Sequence, residues 1–367
     1  MLRPNRWGWI FMGCLLALSV GLLGCDDDDD NGGEPDVTEE IRQLIETSLH
    51  NTTDGMEYFY AAENGGFEQM TGVGYDQLGC KNCHVEPEEC GTCHVEDGDT
   101  PTADACFACH GRQNAEINHG FSDVHRDAGM TCADCHDGED VHGDGNVYIS
   151  MLEGNAIKAR CENCHDPEDQ EFPDNSYHNL HVSGSPEIAC SGCHMQSVVT
   201  CYNCHFDSEI DINTKIAYGQ FKNWRLLLKR DRGNGEVIID SGNFQSLVFE
   251  DSLAFVAVAP YYAHTIASDA ITSCDDCHDN EYVQEYNTNG TVTVATWNPD
   301  TQAMEPNIQG KGIIPVPPDW ETALQFGFAT MDPPPESPSD PRNWVEIDPA
   351  EMETQMLFAE PLDAMPE

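Results

Sequence analysis

The pattern of apolar and polar positions divides the chain into segments of different character. A short apolar stretch, Trp7 to Leu23, follows Arg3 and Arg6 at the N-terminus. This stretch is too short for a comfortable membrane span, and a basic start followed by a short apolar run is typical of an export signal. The pattern therefore predicts a signal peptide over residues 1–24.

The composition changes abruptly after this signal. Residues 25–37 are mainly acidic, with glycine and proline, and such a run cannot bury apolar surface. We expect a disordered tether there. A helix is predicted next, because Ile41, Leu44, Ile45 and Leu49 recur at helical spacing.

The remainder of the chain is first loop-like and then strand-like. Residues 80–205 are rich in glycine, aspartate and asparagine, which favours short helices and loops. Residues 211–262 contain β-branched and aromatic runs broken by RGNGE and SGN, which predicts an antiparallel β insertion. A β-like run at 291–297 leads into a proline-rich tail, which we expect to wrap the surface without much regular structure.

Cysteine and histidine recur in one fixed pattern along the loop-like segment and once after the β insertion. Of the 18 cysteines, 16 form eight CxxC pairs, and a histidine directly follows every pair. The motifs are Cys80, Cys83 and His84; Cys90, Cys93 and His94; Cys106, Cys109 and His110; Cys132, Cys135 and His136; Cys161, Cys164 and His165; Cys190, Cys193 and His194; Cys201, Cys204 and His205; and Cys274, Cys277 and His278.

The CxxCH unit is the attachment sequence for c-type haem. Its two thiols add to the vinyl groups of a haem, and the adjacent histidine is placed to bind iron from one face. A structural zinc site has no required role for a histidine next to the second cysteine, and disulfides within CxxC would leave eight such histidines unexplained. The motifs therefore predict eight covalently bound haem c groups, with iron as the metal.

Seven histidines outside the motifs are candidates for the second axial ligand. They are His50, His119, His125, His142, His178, His181 and His264. Five of them precede a motif by a short segment, in NHGFSDVH, YHNLH and YYAHTI. We predict that most bind iron opposite a motif histidine, which gives coordinatively full irons of low reduction potential. One iron is left over, and its sixth ligand stays open between methionine, lysine, a partner chain, and water or substrate.

The predicted haems also determine the expected fold. Hydrophobic residues are only 39% of the chain, and eight macrocycles can replace much of a side-chain core. We expect a haem-dense fold, mostly irregular with short α-helices, plus a small antiparallel β insertion and low regular secondary structure. The predicted segments are an N-terminal helix and seven-haem core at 38–210, the β-rich insertion at 211–262, an eighth haem site at 263–280, and a β-like run with the proline-rich tail at 281–367.

Acidic residues dominate the charge of the chain. The sequence has 66 acidic and 16 basic residues, for a net charge of −50. Such a surface excludes nucleic acid as a partner and is repelled by anionic membranes. The β insertion holds much of the scarce basic charge, at Lys222, Arg225, Lys229, Arg230 and Arg232. These residues predict either an insertion that packs on the haem core or a docking patch for an acidic partner.

The end of the apolar N-terminal segment resembles a bacterial lipoprotein signal. The sequence LLGC, from Leu22 to Cys25, is similar to a lipobox. The resemblance implies that Cys25 carries lipid and anchors the exported protein at the outer membrane, on the cell surface or on the periplasmic side. Cleavage without lipid and a retained anchor stay open as alternatives.

The haem motifs carry a further resemblance, over roughly Cys80 to His278. HGFSDVHRDAGMTCADCH and YHNLHVSGSPEIACSGCHMQSVVTCYNCH resemble multihaem cytochromes c of metal-respiring bacteria. This implies a carrier that exchanges electrons with other redox proteins, such as cytochromes and porin–cytochrome complexes, or with extracellular acceptors. More distantly, the chain is similar to octahaem hydroxylamine oxidoreductase and tetrathionate reductase.

That more distant similarity implies the alternative function. An oxidoreductase would act on a small nitrogen or sulfur compound at the one haem that lacks a distal histidine. The CxxCK motif of the pentahaem nitrite reductases does not occur in the sequence. Whether the protein is an enzyme or a carrier therefore stays open at this point, with the carrier favoured by the short gaps between motifs at 85–89 and 195–200.

Overall fold

The computed structural model describes residues 37–52, 54–79, 90–94, 100–167, 172–173, 175–182 and 187–366. The predicted signal peptide, Cys25, the tether up to residue 36, and the motif with Cys80, Cys83 and His84 lie outside the described residues. Within the described ranges, no helix has both the length and the apolar character needed to cross a membrane.

Short helices and irregular segments make up the N-terminal part. The helices are α1 (Val37–Ile45), α2 (Asp54–Tyr60), α3 (Glu68–Thr71), α4 (Ala103–Phe107), α5 (Gly111–Asn118), α6 (Val124–Asp127), α7 (Gly138–His142), α8 (Ser176–His181) and α9 (Cys190–His194). Single 3-10 turns lie at Ala62–Asn64, Tyr75–Gln77, Cys90–Thr92, Cys132–Asp134 and Cys161–Asn163. The first helix is shorter than the apolar pattern predicts. Helix α1 ends at Ile45, and Leu49 lies in the turns that follow.

Strands dominate the C-terminal part. The first elements are β1 (Val198–His205), α10 (Phe206–Ile212), β2 (Ile216–Asp231), β3 (Val237–Phe249), β4 (Leu253–Pro260), α11 (Asp275–His278) and α12 (Glu281–Asn289). They are followed by β5 (Val292–Asn298), β6 (Ala303–Pro306), β7 (Ile313–Pro315), α13 (Trp320–Ala323), β8 (Leu324–Phe326), β9 (Phe328–Met331), β10 (Trp344–Ile347) and β11 (Glu351–Met356).

Six strands form one mixed sheet in the order β11-β4-β3-β1-β2-β7. β2 and β3 pair antiparallel next to the turn that joins them, from Asp231 opposite Val237 to Leu226 opposite Gly242. Farther from that turn, β1 pairs antiparallel with β2 and parallel with β3. β7 joins β2, and β11 joins β4, both in parallel. Two smaller sheets have the orders β6-β5-β8 and β10-β9.

The expectation of a small antiparallel insertion with low regular secondary structure is wrong. The six-stranded sheet includes β1 from the motif-rich segment and β7 and β11 from the segment after residue 281, and three of its pairings are parallel. Local alternation predicts a hairpin, whereas pairing between strands that are distant in sequence depends on tertiary packing. A three-residue strand such as Ile313–Pro315 is also too short to show a period.

The main hydrophobic core belongs to the strands. Leu226, Leu228, Val256 and Val258 are fully buried and pack in one cluster with Phe244. A smaller cluster contains Phe67, Leu78, Phe206, Phe249 and Phe255. Between residues 100 and 188, in contrast, Ala156 is the only described hydrophobic residue that is buried. The motif-rich part therefore has little side-chain core of its own, as expected if haems fill that role.

Candidate haem sites

Six of the seven described motifs form the same single helical turn. In five of them, the backbone N–H of the histidine donates to the carbonyl oxygen of the first cysteine at 2.9 Å. These five are Cys90–His94, Cys106–His110, Cys132–His136, Cys161–His165 and Cys274–His278. The sixth, Cys190–His194, is helix α9. Residues i, i+3 and i+4 of a helical turn share one face, so the turn presents both thiols and the imidazole together, as haem attachment requires.

Each of these six motif histidines faces a second histidine. The ring centroids are 6.0 to 6.2 Å apart in the pairs His50–His110, His94–His142, His125–His165, His136–His264, His178–His194 and His181–His278. Imidazole nitrogens bind transition metals at about 2 Å, so two imidazoles on opposite sides of one metal have centroids roughly 6 Å apart. The spacing of the six pairs therefore fits the two axial ligands of a haem iron.

Hydrogen bonds at Nδ1 orient four of these rings. Nδ1 lies 2.8 to 3.1 Å from an acceptor oxygen in the pairs His50 with Val141, His136 with Asp140, His178 with Pro173, and His194 with Ala267. A neutral ring that donates from Nδ1 keeps the lone pair of Nε2 free for a metal. Iron ligation through Nε2 needs this tautomer. The hydrogen bonds therefore support the assignment of these rings as axial ligands, independently of the ring spacing.

One buried carboxylate joins two of the distal histidine segments. Asp123 Oδ1 accepts the N–H of His125 at 3.0 Å and the N–H of Arg126 at 3.2 Å, which caps helix α6. Asp123 Oδ2 accepts the N–H of Ile266 at 2.9 Å. Because Ile266 lies two residues after His264, the same side chain positions the segments that carry His125 and His264.

A second buried carboxylate supports His264. Glu116 accepts the backbone N–H of His264 at 2.9 Å and the hydroxyl of Tyr261 at 3.0 Å. Burial raises the pKa of Glu116 to about 7, against the lowering effect of these hydrogen bonds. Sequence reasoning missed both carboxylates. Asp123 stands directly before a short helix, which is an N-cap signal, whereas nothing in the sequence marks Glu116.

Electrostatic interactions link the six turn motifs in the order of the sequence. Cysteine side chains of successive motifs interact in the pairs Cys93–Cys109, Cys106–Cys132, Cys135–Cys164, Cys161–Cys190 and Cys193–Cys277. The second and fourth of these pairs are hydrogen-bonded. Haem attachment would convert these sulfurs into thioethers, and the attachment edges of successive haems would then be neighbours.

The motif Cys201–His205 differs from the other six. It lies in β1, where Cys204 and His205 pair with both β2 and β3. His205 is only 2% exposed, and its Nε2 lies 4.0 Å from carboxylate oxygens of Asp207 and Asp251. Among the described residues, neither ring nitrogen has a hydrogen-bond partner, and no second histidine ring faces it. Within the part of the chain described, this motif therefore does not show the two-histidine arrangement.

His119 is the predicted distal ligand that has a different environment. Its Nε2 lies 2.8 Å from Gln220 Oε1, and its Nδ1 lies 3.3 Å from Lys222 Nζ. Both neighbours belong to β2. The other six candidates each face a motif histidine, and the role of His119 as an iron ligand stays a prediction.

Attachment turns with opposed histidines are the features expected of a multihaem c-type cytochrome. The cytochrome c3 family model matches residues 124–206, a segment with four CxxCH motifs. This segment is a cytochrome c3 family domain, which carries covalent haem c and transfers electrons. The predicted resemblance to multihaem cytochromes is confirmed at this level. The comparisons with curated proteins and with solved structures gave no significant match.

Proposed function

We propose that the protein is an octahaem cytochrome that conducts electrons along a row of closely packed, mainly bis-histidine haems. The observation that carries the proposal is the set of six facing histidine pairs, and the interactions between cysteines of successive motifs support their order. Iron held by two imidazoles has no position for a substrate, so such sites exchange electrons. The gaps of five residues at 85–89 and six at 195–200 support an extension of the row to the motifs at Cys80 and Cys201.

The haem content and ligation of the purified holoprotein test this proposal. We expect eight haems per chain by mass and by haem absorbance, with at least six low-spin irons by electron paramagnetic resonance. His181→Ala should convert one low-spin haem into a high-spin haem that binds carbon monoxide after reduction. Fewer than six haems, or an unchanged spectrum in His181→Ala, would contradict the row as proposed.

The proposal extends to the site of action. An exported protein, held by lipid on Cys25 at the outer membrane, would exchange electrons with other cytochromes, porin–cytochrome complexes or extracellular acceptors. The apolar N-terminal segment, LLGC and the acidic tether support this. Cys25→Ala should move the protein from the membrane fraction to the soluble fraction. Protease treatment of intact cells then distinguishes the cell surface, where the protein is cut, from the periplasmic side, where it is protected.

A second candidate function follows from the strand-bound motif. An oxidoreductase acting on a small nitrogen or sulfur compound needs one iron without a distal histidine, and His205 faces no second histidine among the described residues. Carbon monoxide binding by the reduced wild-type protein, with turnover of hydroxylamine, nitrite or tetrathionate, would support this function. Both should disappear in a Cys201→Ser, Cys204→Ser variant. A wild-type protein that is entirely low-spin and inert to carbon monoxide rejects it.

A further inference from the structure

Four basic residues of the β2–β3 hairpin differ in whether an acidic side chain neutralises their charge. Three of them form ion pairs: Lys229 Nζ with Asp363 at 2.7 Å, Arg230 Nε with Asp240 at 2.5 Å, and Arg232 Nη2 with Glu187 at 2.8 Å. Arg225 is different, because it is fully buried in the sheet and forms no ion pair with any described carboxylate. This guanidinium carries an unusual, unneutralised charge.

The hydrogen bonds of Arg225 are few and long. Nη1 donates to the carbonyl of Gln196 at 3.3 Å and Nη2 donates to the carbonyl of Gly192 at 3.4 Å. Among the described residues, Nε has no partner. Burial lowers the pKa of Arg225 to about 10, so the group stays protonated at neutral pH. Neutral carbonyls satisfy part of its hydrogen bonding but do not cancel its charge.

The position of this charge coincides with the junction of two haem sites. Gly192 is part of the Cys190–His194 motif, and the charge interacts with Cys193 and with Cys277 of the last motif. The charge also interacts with Asp276, whose carboxylate already accepts the N–H groups of Thr272 at 2.7 Å and Ser273 at 3.0 Å. Arg225 therefore lies where the attachment edges of these two sites meet.

A fixed positive charge at the junction of two haem sites favours the reduced state of both haems. Reduction adds one electron to an iron centre, and the attraction between that electron and a nearby cation is strong when water is excluded. An ion-paired or solvated cation has a weaker effect, because its partner or the solvent screens it.

We propose that Arg225 raises the reduction potentials of the haems held by Cys190–His194 and Cys274–His278 above those of the other bis-histidine haems. This rests on the proposed row for the second of these haems, whereas the first belongs to the cytochrome c3 domain. Electrons that enter the row at other haems therefore collect at the Cys274 end, which gives electron flow along the row a direction. Arg225 acts on these irons through its charge and does not bind them.

Spectroelectrochemical titration of the holoprotein, followed by electron paramagnetic resonance, tests the proposal. Arg225→Gln should shift the reduction equilibrium of two haems at least tenfold towards the oxidised form, which is about 59 mV for a one-electron couple. Arg225→Lys should keep most of the wild-type potential. Arg232→Gln is the matched control: it removes the same charge at a partly exposed, ion-paired position and should shift these haems less.

The two haems are identified by their distal ligands. His178→Met and His181→Met each alter the signal of one haem, and these signals should be the two that Arg225→Gln moves. If Arg225→Gln shifts no haem, or shifts all of them equally, the proposal is overturned. Should that variant fail to mature, the wild-type titration decides, since the two identified haems must have the highest potentials among the low-spin set. The haem count of each sample separates this outcome from a failure of the eight-haem proposal.

Discussion

The motif-rich region (residues 90–194) and the sheet region (residues 195–366) are held together by different forces. In the sheet region, fully buried side chains such as Leu228 and Val258 form a continuous core. In the motif-rich region, large apolar side chains such as Val147 and Leu180 are more than half exposed. Apolar surface of that kind needs a nonpolar partner, which a macrocycle supplies. One chain thus combines an ordinary protein core with a core built from cofactors.

Pairs of facing histidines link the two regions, in addition to backbone contact. The pairs His136–His264 and His181–His278 each take one histidine from either region. Gly154 and Gly233 also meet closely, since a Cβ on Gly154 would lie 2.0 Å from the Cα of Gly233. A larger residue at either position would push the hairpin away from the haem sites. The sheet region therefore holds one histidine of each of these two pairs in place.

The largest expected effect comes from withholding haem. Chain produced without haem attachment should lose hydrogen-exchange protection throughout residues 90–194, because the contacts that order this region are absent. Strands β2 to β4 should stay protected, because their core does not depend on haem. Hydrogen exchange followed by mass spectrometry measures both regions in one experiment. Equal loss of protection in both would show that the sheet has no independent stability.

Truncation of a side chain in the sheet core should destabilise the sheet region and leave the haem sites unchanged. Leu228→Ala removes a fully buried side chain, and we expect the free energy of unfolding to fall by about 2–5 kcal/mol. Urea denaturation followed by far-ultraviolet circular dichroism measures this. The low-spin haem spectrum at zero urea should be unchanged. Val237→Ala, at a position 52% exposed, is the control and should change stability by less than about 0.5 kcal/mol.

Removing the carboxylate that joins the two distal segments should have an intermediate effect. Asp123→Ala loses the cap of α6 and the hydrogen bond to Ile266, at a cost of about 1–3 kcal/mol. The resonance signals of the haems ligated by His125 and His264 should broaden, because both rings lose a support. Asn280→Ala removes the cap of α12, which carries neither histidine, so a broadening of the same two signals in that variant would contradict this role.

A partly exposed ion pair in the motif-rich region should contribute least. Lys158→Met removes the 2.6 Å contact to Asp144 and should cost about 0.2–1 kcal/mol. The hydrogen bond to Lys158 lowers the pKa of Asp144, so the stabilisation is present above the unfolded pKa and disappears as the pH falls towards the folded one. The thermal unfolding temperatures of the wild-type protein and of Lys158→Met should therefore become equal in acid. A difference that grows in acid would exclude this explanation.

The attachment motifs could be located from the sequence, because each is a local five-residue unit, and six of the seven described motifs form one helical turn. His178 and His181 also lie close before a motif, and each faces a motif histidine in the structure. The partner of each histidine could not be predicted, since strands β1 to β4 lie between His181 and its partner His278 in the sequence. The sequence left open whether Arg225 packs inside the molecule or belongs to a docking patch, because a residue's charge does not reveal its burial.

The sequence order of the cysteine interactions has a consequence for assembly. A chain is made from its N-terminus, so its motifs emerge in the order in which they are neighbours, and the early pairs close short loops at a small entropic cost. The last pair, Cys193 with Cys277, spans β1 to β4 in the sequence, so the folded sheet brings its two members together. Under the proposed row, the haem sites would therefore be completed from the N-terminal side, and the last of them would wait for the sheet.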